Sequence, residues 1–160
     1  MRSGSGQLRR AFGTETGMQI SRPETLRRGY SFGLRAESAS DLIRQVQRGF
    51  SFSALQRLCA SSHLDISLLA EIIGIPERTL ARRRTAGKLA PDESERLFRI
   101  ARIFEDCVAL FEGDVAAAVN WLETPKRVLE NRNPLEYTRT EPGAREVEDL
   151  IGRLEHGVFS

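Results

Sequence analysis

The sequence is poor in the residues that build covalent or metal-held scaffolds: it has 2 cysteines and 2 histidines in 160 positions. Cys59 and Cys107 each stand among apolar neighbours, the setting of a buried free thiol, so no disulfide framework is expected. Cys59 and His63 are four apart on a candidate helix, a legal ligand spacing. No second pair exists elsewhere to complete a metal site, and both read as core or surface residues. Long hydrophobic runs are missing too. The run from Val115 to Val119 ends at Asn120, far short of the roughly 20 residues a bilayer span needs. The basic N-terminus is followed by no apolar stretch and no obvious cleavage site, so no secretory signal is visible and the cytoplasm is the expected compartment. There is no Gly-rich phosphate loop, no nucleophile placed near a base and no paired carboxylate site, so neither catalysis nor a cofactor is expected. No segment alternates cleanly as a strand would.

What is present is a globular balance, 40% hydrophobic and 29% charged, with the charge unevenly spread behind a net value of +2. Residues 1–35 carry 7 Arg against 2 Glu, a balance of +5. Residues 36–90 carry 8 basic and 5 acidic residues, +3, and residues 91–160 carry 9 basic and 15 acidic residues, −6. A basic front facing phosphates and an acidic back facing a protein accounts for the split.

The first 35 residues are rich in Gly, Ser, Thr and Arg without sustained hydrophobic period, and read as a flexible basic tail. From Ser40 the pattern is helical throughout. Two short helices precede an apolar stripe over Ile66–Ile73, capped by Asp65 or Ser67 and stopped by Gly74. Pro76 opens the next helix, which Gly87 ends. Glu93–Phe111 is the longest, with an apolar face so broad that it implies burial on two sides. Shorter helices follow near Asp114–Leu122, Pro125–Leu129 and Pro134, and Val147, Leu150, Ile151 and Leu154 mark a final amphipathic one, expected to pack on Trp121.

The stretch from Leu69 to Arg83 has the layout of a helix-turn-helix. Small Ala70 lets two helices cross closely, Gly74 supplies the turn, and Ile75 and Leu80 plug the second helix onto the first. At about 100° per residue, Arg78 and Arg82 each fall roughly 200° from Leu80 and so face outward together. Arg83 and Arg84 lie within roughly 60° of Leu80, so their stems run along the protein and their heads suit phosphates better than base edges. Thr79 and Glu77 flank the outer face, and Lys88 follows in the loop. The expected DNA-contacting set is therefore Arg78, Thr79, Arg82, Arg83, Arg84 and Lys88.

Two stretches carry a resemblance to a known family. One runs from Arg78-Thr79-Leu80-Ala81-Arg82-Arg83 through Gly87-Lys88-Leu89-Ala90-Pro91 to Leu97. The more specific one runs from Ala118-Val119-Asn120-Trp121-Leu122-Glu123-Thr124-Pro125 through Leu129, Asn133-Pro134-Leu135, Gly143 and Val147 to Gly157. Over residues 40–160 the sequence resembles the Xre-like antitoxins that carry an MbcA/ParS/Xre toxin-binding domain. It departs from them twice. Glu130-Asn131 stands where the family usually has Gly-Gly, and of the two only Asn131 readily adopts a left-handed backbone. Ala90 stands where a Ser often caps the long helix, forfeiting a cap worth about 1 kcal/mol.

The resemblance implies an all-α fold, a helix-turn-helix (Xre/Cro-like) DNA-binding domain over 36–112 followed by a small helical toxin-binding domain over 113–160. It implies a RES-domain toxin as partner, one that consumes NAD or transfers its ADP-ribose part, and operator DNA as the second partner. Trp121, Leu122, Leu129 and Leu135 read as packing. The contact candidates around them are Lys126, Arg127, Arg132 and Asn133, with the terminal Gly157, Val158, Phe159 and Ser160, where Phe159 is an aromatic residue beyond the last helix. The two-fold logic of operator reading implies a homodimer, with Phe50, Phe52 and Leu55 at its interface unless the tail covers them. Two other readings fit the same residues: a stand-alone helix-turn-helix regulator without a toxin, and a protein-only inhibitor that never touches DNA.

Overall fold

The computed structural model describes residues 28–157, so the expected tail over residues 1–27 and the terminal Val158, Phe159 and Ser160 lie outside the described residues. Among the described residues there are eight α-helices and no strand. Most begin at a side chain that answers the orphan amides of a first turn. Ser38 accepts from Asp41 N at the head of α1 (Ala39–Arg48). After α2 (Phe52–Ser62), Asp65 accepts from Ser67 N and Leu68 N to open α3 (Ile66–Ile72). Helix α4 (Glu77–Ala86) starts after Pro76 and ends at left-handed Gly87.

The 20-residue α5 (Pro91–Leu110) lacks a capping side chain at Ala90. Glu93 instead reaches back to accept from Ala90 N at 2.7 Å, the half of a capping box that alanine leaves possible. Beyond it come α6 (Val115–Glu123), capped by Asp114, and a 3-10 turn at Arg127–Leu129. Then follow α7 (Pro134–Tyr137), capped by Asn133, and α8 (Glu141–Glu155), capped by Thr140.

Helix α5 is the axis. It packs against α1, α2, α6 and α8, and buries Leu97, Ala101, Ile103 and Cys107 almost completely. The breadth of its apolar face thus does what its sequence implies, joining the front and back of the chain in one continuous core from Phe32 to Ile151. Val147 and Ile151 of α8 are buried and Leu150 and Leu154 half-buried, as the final stripe implies. Their helix packs chiefly on α5 and α7, and Trp121 lies against the same continuous core. Cys107 is a buried free thiol and Cys59 a half-buried one.

The structure departs from the expected tail at residues 28–35. A 3-10 turn at Tyr30–Phe32 sits on α2 and α5, and Phe32 packs on Phe50 with ring centroids 5.2 Å apart. The cause lies in α5. Glu105 is 3% exposed, and its carboxylate accepts from Gly29 N at 2.9 and 3.0 Å, from Ser31 N at 3.0 Å and from Ser31 Oγ at 2.6 Å. Arg28 pairs with Asp106 one residue on, and Ser61 Oγ donates to Ser31 O at 2.6 Å. A carboxylate enclosed by protein must be met by donors, and a short polar segment with no hydrophobic period supplies them. The segment also covers the residues assigned to a dimer interface: Phe50, Phe52 and Leu55 are 6%, 4% and 0% exposed within the single chain.

Replacing Glu105 with Ala leaves buried Gly29 and Ser31 donors without an acceptor, and is expected to lower stability by about 2–4 kcal/mol, while Ser31→Ala costs about 1 kcal/mol. Urea denaturation of the two variants checks the ranking, and equal midpoints would contradict it.

Candidate nucleic-acid and protein interfaces

Helices α3 and α4 form the corner that the sequence implies. Ile75 N donates to Ala70 O at 2.8 Å around left-handed Gly74, and Ala70, Ile75 and Leu80 are buried at the crossing. This leaves Arg78 and Arg82 exposed on the far side of α4, with half-buried Thr79 between them. Arg82 Nη2 reaches Thr79 Oγ1 only at 3.5 Å, so its donors are largely uncommitted. Arg84 is exposed, with its guanidinium carbon 5.6 Å from the centroid of the Phe52 ring, and Lys88 is exposed in the following loop.

Arg83 is placed differently from its expected role at a phosphate. Its Nε and Nη2 donate to both oxygens of Glu93 at 2.9–3.2 Å, and Glu93 is 6% exposed. Donation to the Glu93 carboxylate raises the Arg83 pKa above its ordinary value. A buried carboxylate that already caps α5 holds this guanidinium in place, so Arg83 fixes the angle between α4 and α5 and does not extend toward a ligand.

The second surface is a tight turn between α6 and α7. Lys126 N donates to Arg132 O at 3.0 Å, Asn131 N to Lys126 O at 2.9 Å, and buried Leu129 plugs the turn into the core. Glu130 and Asn131 both take left-handed backbone, φ 56° and 62°, which is why glycines suit these positions. Arg127 and Arg132 are exposed. Lys126 lies with its ammonium 4.9 Å from the Trp121 ring centroid, and partial burial pulls its pKa below the usual value. Asn133 is occupied as the cap of α7, accepting from Glu136 N at 2.7 Å. Gly157 is exposed, with φ 66°.

Sequence reasoning missed Val128, which is 68% exposed at the crest of this turn. The signal was available: of two adjacent apolar residues in a single short turn, only one can face the core, and Leu129 does. Gly143 shows how closely the neighbouring elements approach, since a Cβ there would lie 1.9 Å from Tyr137 O. No helix among the described residues is long and apolar enough to cross a membrane, and no group of three or more potential metal ligands occurs among them.

Comparison with known proteins gives both surfaces a context. Residues 41–102 match the antitoxin Xre-like helix-turn-helix domain, and residues 108–157 match the antitoxin Xre/MbcA/ParS C-terminal toxin-binding domain. An antitoxin Xre of Yersinia enterocolitica is 42% identical over 129 residues, spanning 80% of this chain and 87% of the relative. The antitoxin Xre of Photorhabdus laumondii is 41% identical over the same shares, and that of Pseudomonas putida is 36% identical over 76% of each chain.

Two outcomes follow from these geometries. Arg78→Ala and Arg82→Ala are each expected to lower operator affinity by about 1–3 kcal/mol and to relax sequence preference, whereas Arg83→Ala lowers the thermal midpoint first; gel shifts and thermal melts on the same preparations separate them. Glu130→Gly relieves a left-handed non-glycine residue and is expected to raise stability by up to about 1 kcal/mol, read as a higher urea midpoint.

Proposed function

The chain belongs to the Xre antitoxin family, and from that premise we propose that it silences a RES-domain toxin that consumes NAD and represses the operon encoding both. The observation that carries the reading is the match of residues 108–157 to a toxin-binding domain whose outward feature here is the pinned turn with exposed Arg127, Val128 and Arg132. An apolar side chain flanked by cations on a turn that is already ordered loses little freedom on binding, which favours a protein partner.

Inhibition works by occupying the entrance of the toxin's active site. Residues 91–160 carry the chain's negative balance and so complement a positively charged, nucleotide-binding pocket. The end of the chain, Gly157-Val158-Phe159-Ser160, is the inhibitory element, an assignment that rests on sequence order: a glycine frees the backbone after the last helix and an aromatic residue follows it. Exposed Arg78 and Arg82 support operator binding, with Arg84 and Lys88 toward the backbone phosphates. Two-fold operator reading supports a homodimer in the cytoplasm, and with Phe50, Phe52 and Leu55 buried in one chain, its interface uses other residues.

The test is co-expression with the toxin encoded beside it. Removing residues 158–160 is expected to cost roughly 2 kcal/mol of toxin binding, about thirtyfold in affinity, and to let cellular NAD fall, while helical content, thermal midpoint and operator binding stay normal. Full protection by the truncated chain at matched expression would remove the C-terminus from the mechanism and move the inhibitory contact to the turn at Arg127–Arg132, where Val128→Asp tests it. Operator binding without any toxin contact would favour the stand-alone regulator.

A further inference from the structure

One cavity at the α1–α2 link gathers cations with no acid to balance them. It measures about 220 Å³ and is bounded by the 32–35 segment, the C-terminal end of α1 and the first turns of α2. Arg35, Arg48 and Arg57 line it, one from each of these elements, and no Asp or Glu does. All three are exposed, and none of them enters an ion pair among the described residues. Arg28, Arg83 and Arg102, by contrast, each meet a carboxylate from another part of the chain, whereas Arg35, Arg48 and Arg57 share the unpaired state of Arg78, Arg82 and Arg84 on α4. Three guanidinium groups around one cavity with no carboxylate among its lining residues make a positive site that an anion would balance.

The backbone is shaped to keep them there. Gly33 is left-handed at φ 80°, and a Cβ on it would fall 2.7 Å from Arg57 Nη1, the space that the guanidinium occupies. Gly49, at φ 81°, would place a Cβ 2.1 Å from Leu89 O. Without one, the α1–α2 link lies directly on the exit of the recognition helix: Leu89 N donates to Phe50 O and Phe52 N to Gly87 O, both at 2.9 Å, and Ser51 pairs antiparallel with Lys88. The cavity and the basic end of α4, with Arg84 and Lys88, are thus two sides of one hydrogen-bonded junction.

We propose that this cavity is a phosphate site that takes a backbone phosphodiester of the DNA duplex flanking the groove read by α4. The inference rests on the DNA-binding reading of that helix. Arginine forks suit a tetrahedral phosphate better than lysine would. A free nucleotide fits less well than a duplex backbone, because the aromatic rings at the cavity, Phe32 and Phe50, are 2% and 6% exposed and offer no face on which a base stacks.

The test uses the full-length protein and an Arg48→Gln/Arg57→Gln double variant on two duplexes, one from its own promoter and one scrambled, across roughly 50 to 200 mM salt. The expected result is a slope of log K against log salt shallower by roughly 1 on both duplexes, about tenfold weaker binding of each, and an unchanged preference for the promoter. Arg78→Ala, run in parallel, loses preference instead. Wild-type slope and affinity in the double variant would overturn the proposal, and so would a loss of preference without a change of slope. Should the double variant lose its thermal midpoint, Arg48→Gln alone carries the measurement, with a smaller slope change expected and an unchanged slope overturning the site. If the wild-type protein binds neither duplex, the DNA reading of α4 is what fails. A thermal shift with inorganic pyrophosphate, present in the wild type and absent in the variant, would then keep an anion site and overturn the duplex as its source.

Discussion

A helix buried along two faces cannot leave its acids unanswered, and α5 carries two of them inside the protein. Glu93, near its start, is met by Arg83 and by the Ala90 amide, and Glu105, near its end, is met by the Gly29 and Ser31 donors. Each carboxylate thereby recruits a segment from elsewhere in the chain. One fixes the recognition helix and the other pins the segment that precedes α1. Enclosed charge of this kind is costly to leave unpaired, so both attachments are specified more tightly than apolar contact alone would achieve.

The consequence for the DNA-facing surface is a division of labour among its arginines. Arg83 is spent on geometry, holding α4 at its angle to α5. Arg78 and Arg82 stay uncommitted because they lie across α4 from that junction. Arg84 is steered by the Phe52 ring, and Phe52 itself is buried against the same core that Phe32 closes. Because the segment around Phe32 is held by Glu105, the arginine cavity at the α1–α2 link depends on the far end of the same long helix.

The back of the molecule extends this core without forming a second one. Leu122 and Leu135 line the same small apolar void as Leu58, Leu69, Ile100 and Phe104. Arg139 pairs with Glu71 at 2.6 Å and Arg102 pairs with Glu148, so ionic contacts also cross from front to back. A surface turn on such a base is ordered before any partner arrives. Its two left-handed residues, one of them a glutamate, keep Val128 lifted clear of the core while Leu129 enters it. Order in advance reduces the entropy that binding must overcome, which suits a protein whose task is to hold another one inactive.

Local chemistry was legible in the sequence. Hydrophobic period placed the helices, Gly74 and Gly87 placed the turn and the stop, and the offset from Leu80 put Arg78 and Arg82 outside, all from interactions a few residues long. The order of Trp121-Leu122, Leu129, Pro134-Leu135 and Gly143 carried the family resemblance, although of these Gly143 answers a close local approach while Leu122 and Leu135 pack on the front of the chain. What crosses the chain was not legible. No spacing rule links Glu93 to Arg83, Glu105 to Gly29 and Ser31, or Arg57 to Gly33, because a buried charge chooses its partner by proximity in the folded core and not by distance in sequence. Only tertiary structure decided, therefore, that residues 28–35 belong to the domain, that Phe50, Phe52 and Leu55 close its core, that Arg83 is a brace, and that three arginines share one cavity.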